Sequence, residues 1–439
     1  MAAAMLNAFG GDGGELSQGD RALLGRRAVS MGSAYRLFYE RPVHFVRGEG
    51  VWLFDPEGRP YLDAYNNVAC VGHCHPRVVA AVARQAAVLN THTRYLTEGV
   101  VAYAERLTSL FPAGLDNVMF ACTGSEANDL AIRIAKTFTG RRGFVVTELA
   151  YHGGTEAVAA MSPSLGRAVP VGQHVRLAPA PDSHNIPRDE MASTFARGVR
   201  AAIADLERHG VPPAALLVDT IFASDGIFAD PAGFLGEAVE AIHEAGGLFI
   251  ADEVQAGFGR TGDRMWGFER HEVSPDLVTL GKPMGAGYPL SGVVARPEVI
   301  EAFGSRSRYF NTFGGSPVAC AAGQAVLDVI EDDGLLANAQ RVGTLFREAL
   351  GHLFRRHEII ADVRGAGLFI GVEVAAAGAA PRSAVLAAAI VNGMRERGVL
   401  ISSTGPRGDV LKIRPPLVFS EPDVAYFIER LQSVLEGLA

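Results

Sequence analysis

Cysteine is scarce in this chain, basic charge is not in excess and long apolar runs are missing, and each shortage excludes something. The four cysteines of the 439 residues, at 70, 74, 122 and 320, lie mostly in apolar or glycine-rich stretches. They make no secreted-type disulfide framework, which points to a reducing compartment. No apolar stretch approaches the roughly 18 residues of a membrane helix, and the first residues lack the charged-then-apolar pattern of an export signal. The expectation is a cytoplasmic protein with no membrane partner. With 40 Lys plus Arg against 48 Asp plus Glu, the formal net charge is -8, so no diffuse basic surface invites nucleic acid. A local basic pocket for a small anion stays open.

What is present is the composition of a globular α/β enzyme: 48% hydrophobic, 20% charged, 51 Gly and 23 Pro. The length exceeds that over which one core usually keeps growing, so a large and a small domain are expected. Residues 1 to about 20 read as a loose arm, 22–36 as weakly helical, and 43–62 as two strands around a turn at 55–58. Residues 76–89 have helical spacing, with Pro76 in the first turn. Strand text at 117–122, 143–147, 173–177, 214–219, 247–252, 276–280 and 289–295, alternating with helical text at 126–138, 193–209 and 232–245, predicts a mostly parallel seven-stranded sheet covered on both faces. Helices from 317 and at 336–350, 383–397 and 421–436, with strands at 359–363, 367–374 and 409–413, predict an α+β tail. The division expected is an arm and strands joining the small domain (1–69), a large domain (70–320) and a small α+β domain (321–439).

Two strand ends carry the chemistry. Gly247-Leu-Phe-Ile-Ala-Asp-Glu-Val-Gln255 delivers Asp252 at the carboxyl end of a buried strand, where ligands bind in open α/β sheets. Thirty residues on, Asp276-Leu-Val-Thr-Leu-Gly-Lys-Pro hands Lys282 to a glycine-flanked loop. A lysine so placed can form a Schiff base with an aldehyde cofactor if burial and nearby charge lower its pKa. An ionised Asp252 needs a partner, and the protonated pyridine nitrogen of pyridoxal 5'-phosphate (PLP) is one. Gln255 can donate to the phenolic oxygen of that cofactor. Thr123-Gly-Ser at a strand-to-helix junction forms an anion site, with the Gly124 backbone and Ser125 as phosphate ligands and a plain helix cap as the bland alternative. Tyr151 can stack on the pyridine with His152 beside it, and Thr312 is a second phosphate candidate. The cluster Cys70-Val-Gly-His73-Cys-His75 is spaced too tightly for a structural zinc site and has no distal partner pair, so no metal is expected.

The run Asp252-Glu-Val-Gln-Ala-Gly-Phe-Gly-Arg260-Thr-Gly, then Pro275-Asp-Leu-Val-Thr-Leu-Gly-Lys282, with Thr123-Gly-Ser-Glu-Ala-Asn128 upstream, resembles the class III aminotransferase family of PLP enzymes over about residues 35–435. The resemblance implies fold type I and a homodimer, or a dimer of such dimers, with active sites at the interface and Thr312 supplied by the partner subunit. Members usually carry an arginine before the C-terminal Pro-Pro-Leu that grips a substrate carboxylate. In Leu411-Lys-Ile-Arg-Pro-Pro-Leu417 that position is Lys412, with Arg414 two residues on. Many omega-amino-acid members pair the arginine with a glutamate where this chain has Ser224. The stretches around Arg36, Asn67 to Pro76, Leu89 to Leu96, Glu126 to Leu130 and Phe310 to Pro317 look like the phospho-lyase subgroup, which eliminates phosphate from a phosphorylated amine.

That implies a phosphorylated amino alcohol such as O-phosphoethanolamine as substrate. The phosphate donors expected are Tyr35, Arg36, Arg94, Lys412 and Arg414, with Asn67 and His73 lining the pocket. Arg260 is expected to fix the cofactor-site loop. The alternative is an omega-transaminase passing nitrogen from an amine or omega-amino acid to a keto acid, with racemase-like relatives behind it.

Overall fold

The computed structural model describes residues 7–11, 14–375 and 380–438. Its centre is a seven-stranded sheet: β1 Asn117–Ala121, β2 Gly143–Thr147, β3 Val175–Ala178, β4 Pro213–Asp219, β5 Leu248–Asp252, β6 Leu277–Leu280 and β7 Ser291–Ala295. The order across the sheet is β1-β7-β6-β5-β4-β2-β3. Only β7 runs antiparallel to its neighbours, β1 and β6; the other pairings are parallel. β2, β5 and β7 are buried along their whole length, as befits runs of Val, Ile, Leu and Phe covered by helices on both faces. This is the mostly parallel sheet of PLP fold type I.

The parallel strands aim their carboxyl ends at one edge, and register sets what stands there. Asp219 lies opposite Asp252, and Asp252 opposite Thr279. The helix Gly124–Thr139 starts beside them. A capping box between Thr123 and Glu126 opens it, and Gly140, at a φ of 68° that an L side chain adopts with strain, closes it.

The C-terminal part carries an antiparallel sheet of Ile360–Ala366, Phe369–Val374, Val410–Ile413 and Ser402–Thr404, with helices Leu335–Phe354, Ala380–Glu396 and Glu421–Glu436. The strands Arg47–Glu49, Trp52–Phe54 and Pro60–Asp63 form a second four-stranded sheet, closed by a parallel pairing with Val399–Leu400. The N-terminal strands therefore bond to the C-terminal third of the chain.

Of the loose arm expected over residues 1 to about 20, residues 1–6, 12 and 13 lie outside the described residues, and the rest departs from it. Asn7 is buried and donates to Ser402 Oγ at 3.2 Å, and Ala8 pairs with Phe38. The helix expected over 22–36 is instead Gln18–Met31, because Ser17 caps it through the Asp20 N–H and Gly32 ends it. The helix Glu98–Thr108, which buries Tyr103 and Leu107, was not expected; it opens without a side-chain cap. No helix among the described residues is long and apolar enough to cross a membrane.

Candidate active site

A cavity of about 340 Å³ opens at the carboxyl edge of the sheet. Gly124, Ser125, Tyr151, His152, Asp252, Gln255 and Lys282 all line it, joined by Val68, Val254 and Tyr288. Seven of the eight residues expected to hold the cofactor thus meet in one chain; Thr312 does not.

Asp252 ends β5, and its carboxylate is held from two sides. Oδ2 accepts from Asn128 Nδ2 at 2.9 Å and lies 2.7 Å from His152 Nδ1, while Oδ1 accepts from the Val254 N–H at 3.0 Å. Thr279 on β6 donates to Asn128 Oδ1 at 2.7 Å, which fixes the asparagine amide with its NH₂ toward the acid. The role expected of His152 sharpens here: it is buried and orients Asp252.

Lys282 is one of only three lysines among the 40 Lys and Arg, the others being Lys136 and Lys412. Burial, and then the nearby Arg414 guanidinium, push its amine down to about 8, with Asp252 and Asp219 pulling the other way. Among the described residues the amine has no hydrogen-bond partner, so it is free to react, and a substantial neutral fraction exists near neutral pH.

At the helix start Thr123 serves as the cap, which leaves the N–H groups of Gly124 and Ser125 facing the cavity side of the first turn. A Cβ on Gly124 would lie 2.9 Å from Val254 Cγ1, and one on Gly153 would meet Ser125 Oγ at 2.4 Å. Ser125 Oγ accepts from the Gly154 N–H at 3.0 Å. The loops are packed so closely that only glycine fits, and the space left is a cradle for a phosphate. Tyr151 is 40% exposed and Val254 buried at the rim of the same cavity. The donor set, the free lysine and the ring-facing acid fit PLP.

Behind Gln255 lies a buried charged cluster. Arg414 Nη1 donates to Gln255 Oε1, and Lys412 Nζ reaches the same oxygen at 3.4 Å and Ala223 O at 3.2 Å. Both cations bind the carbonyl end of the amide, so Nε2 is turned the other way, 3.5 Å from Asp219 Oδ2. Burial pushes the Lys412 amine well below the usual lysine range, and Arg414 adds to the effect. Burial, then Asp252, raise the Asp219 carboxyl. Asp219 was not singled out from the sequence, although β4 ends on it as β5 ends on Asp252. Ser224 is partly buried, and its hydroxyl has no hydrogen-bond partner among the described residues.

The remaining residues expected to bind substrate lie elsewhere. Both ends of the Asn67 amide are occupied, Nδ2 by Gln255 O at 3.0 Å and Oδ1 by Arg260 Nη2 at 2.7 Å. His73 Nε2 is 2.6 Å from Asp63 Oδ2. Tyr35 and Arg36 are exposed and outside the cavity lining. Arg94 is exposed and packs over the Phe310 ring at 3.8 Å, two residues before exposed Thr312, and neither Arg94 nor Thr312 lines the cavity of its own chain. Arg260 is fully buried, bonding Leu368 O, Pro415 O and Asn67 and so tying the C-terminal part to the large sheet. Around the Cys70 to His75 stretch, Cys70 Sγ donates to Pro283 O at 3.1 Å, on the loop that follows Lys282. One His and two carboxylates elsewhere, His184, Asp362 and Glu373, lie close enough to hold a cation, but Arg364 and Arg407 already bond the acids.

Sheet order, a lysine unbonded among the described residues and a buried acid at a strand end are the features of a fold-type-I PLP enzyme. Residues 38–435 match the family model for aminotransferase class-III, and the chain belongs to that family. Its cofactor is pyridoxal 5'-phosphate. Among curated proteins it is 40% identical over 418 residues to the alanine–glyoxylate aminotransferase 2-like protein of Drosophila melanogaster, covering 92% of this chain and 84% of that one. It is 36% identical over 434 residues to ethanolamine-phosphate phospho-lyase homolog 1 of Caenorhabditis elegans, covering 94% and 93%. A solved phospholyase from Arthrobacter, in complex with phosphoethanolamine, is 42% identical with a TM-score of 0.91, covering 95% of this chain and all of that one.

Proposed function

We propose that the chain is a phospho-lyase that eliminates phosphate from a phosphorylated amino alcohol such as O-phosphoethanolamine, giving acetaldehyde, ammonia and inorganic phosphate. The observation that carries this reading is the cluster behind Gln255. Lys412 stands where an arginine usually grips a carboxylate, and its amine is turned to Gln255 and Ala223 O. Ser224 stands where omega-amino-acid members place a glutamate. What remains is a group of basic side chains, Lys282, Lys412 and Arg414, in which burial and the Arg414 guanidinium hold the two amines toward their neutral forms, and a substrate that carries a dianion would favour their charged forms. The Arg414 guanidinium keeps Nη2 without a hydrogen bond among the described residues.

When bound, PLP holds the substrate amine covalently and draws electrons from the carbon beside it. The residues then divide the work. Lys282 takes a proton from the amine-bearing carbon. Asp252, locked by Asn128 and His152, presents fixed negative charge to the ring nitrogen. Arg414 and Lys412, buried behind Gln255 and outside the cavity lining, supply positive potential toward the phosphate as its C–O bond breaks and the electron pair leaves with it. The enamine that remains takes up water and falls apart to aldehyde and ammonia, so one water is consumed per phosphate released.

We also propose a homodimer. Leu96, Tyr95, Phe310 and Phe313 are exposed around Arg94 and Thr312, with Leu96 fully so and Phe313 72% exposed. A second subunit that covered this apolar surface would carry Thr312 and Arg94 toward its partner's cavity.

Transfer of nitrogen to a keto acid is the second reading, favoured by the relatives named as aminotransferases. Incubating the holoenzyme with O-phosphoethanolamine and no keto acid separates the two. Equal, continuing release of phosphate and ammonia supports the lyase; no phosphate release beyond one equivalent of enzyme, with turnover appearing only on adding pyruvate or glyoxylate, refutes it.

A further inference from the structure

The third lysine of the chain leads to a second pocket, on the opposite edge of the sheet from the active site. A cavity of about 520 Å³ is lined by Lys136, Gly140, Arg141, Arg142, Gln173, His174, Gly210, Val211 and Pro212. Lys136 sits in the last turn of the helix Gly124–Thr139, Arg141 and Arg142 in the link to β2, and His174 just before β3. Four basic side chains and no carboxylate line it, in a chain with net negative charge.

Part of this charge has a structural task. Arg141 Nη1 is bonded to Ala245 O and lies 3.5 Å from Pro213 O, closing the end of the helix Gly236–Glu244. That bond also fixes the guanidinium as a rigid wall. Lys136, Arg142 and His174 have no such partner: none forms a hydrogen bond or an ion pair with its side chain among the described residues. The Lys136 amine lies 5.5 Å from the centre of the Phe144 ring, and the His174 ring meets the edge of the same ring at 6.2 Å. Both are half-buried, and both are held more neutral than usual, each by burial first. Arg142 adds to this at Lys136, against the pull of Asp129, and Lys136 adds to it at His174.

We infer that this pocket binds a small phosphate anion carrying two or more negative charges, held between Lys136, Arg142 and His174. Crowded basic groups without a hydrogen-bonded or ion-paired partner around a concave site are held toward neutrality, and a multiply charged anion would favour their charged forms. The cavity is roomier than orthophosphate needs, so pyrophosphate is the better probe.

The test uses cofactor-loaded protein, titrated with inorganic pyrophosphate by calorimetry in wild type and in Arg142→Ala, with the His174 imidazole followed by NMR. Arg142 is exposed, so its replacement leaves the fold intact, and an unchanged melting temperature and cofactor absorbance check this. The expected result is one site per chain, weakened by about tenfold or more in Arg142→Ala, with pyrophosphate raising the pH at which His174 titrates. Pyrophosphate affinity unchanged in Arg142→Ala, or a His174 titration indifferent to pyrophosphate, overturns the proposal and leaves the active site as the anion's only home. Because elimination of phosphate at Lys282 is not an input, that failure would leave the lyase reading standing.

Discussion

If Lys282 is set for attack by its surroundings, its reactivity without cofactor should show it. An amine that loses its proton at about 8 is roughly a tenth neutral at pH 7, against about 0.03% for an ordinary lysine, a difference of about three-hundredfold. Cyanate reacts with neutral amines only, so carbamylation of the cofactor-free protein, followed by peptide mass, reads this directly. The rate at Lys282 should rise with pH and level off just above 8, where free lysine keeps rising beyond 10. Arg414→Met removes a like charge and should move the midpoint up. Asp252→Asn removes an opposite charge and should move it down. A Lys282 midpoint near the ordinary 10.5 would refute the reasoning, as would Arg414→Met moving it down.

Four further outcomes follow from the geometry. His152→Ala removes one of the groups that hold Asp252 Oδ2, a bond to a charged acceptor worth about 1.5–3 kcal/mol, so kcat should fall roughly tenfold to a hundredfold with KM little changed in steady-state assays. Gly124→Val fills the phosphate cradle against Val254, and equilibrium dialysis should show cofactor affinity lowered by about tenfold or more. Lys412→Met keeps the volume but removes the amine beside Gln255, and should raise KM for O-phosphoethanolamine at least about fivefold while leaving cofactor absorbance in place. Arg260→Ala strands Leu368 O, Pro415 O and Asn67 Oδ1 in the core, costing about 3 kcal/mol or more in denaturant unfolding.

The sheet was legible because buried parallel strands write themselves as short apolar runs: β2 and β5 are hydrophobic on both faces, and each is bounded by glycine or charge. Asp252 and Lys282 were legible for the same reason, as polar residues at the ends of such runs. The N-terminal segment was not, because Asn7 is held by Ser402, almost four hundred residues away, and no local pattern announces such a tie. The helix Glu98–Thr108 buries only Tyr103 and Leu107, a weak apolar signal in the sequence. Among the substrate candidates, residue type was a poor guide: the polar groups of Asn67 and His73 are taken by Arg260 and Asp63, which spacing alone does not reveal. Arg260, expected to fix the cofactor-site loop, bonds Leu368 O, Pro415 O and Asn67 Oδ1, partners that its place after a glycine turn does not announce. Asp219 shows the converse, an acid at a strand end whose neighbours, Gln255 after the next strand and Lys412 near the C-terminus, are brought to it only by the fold.

The whole account turns on which amine the cofactor occupies, and with only three lysines the question has few answers. Borohydride reduction of the holoenzyme, digestion and mass mapping should place the cofactor's mass on the peptide that contains Lys282. Finding it on Lys412, the other amine beside Gln255, or on Lys136 would contradict the account.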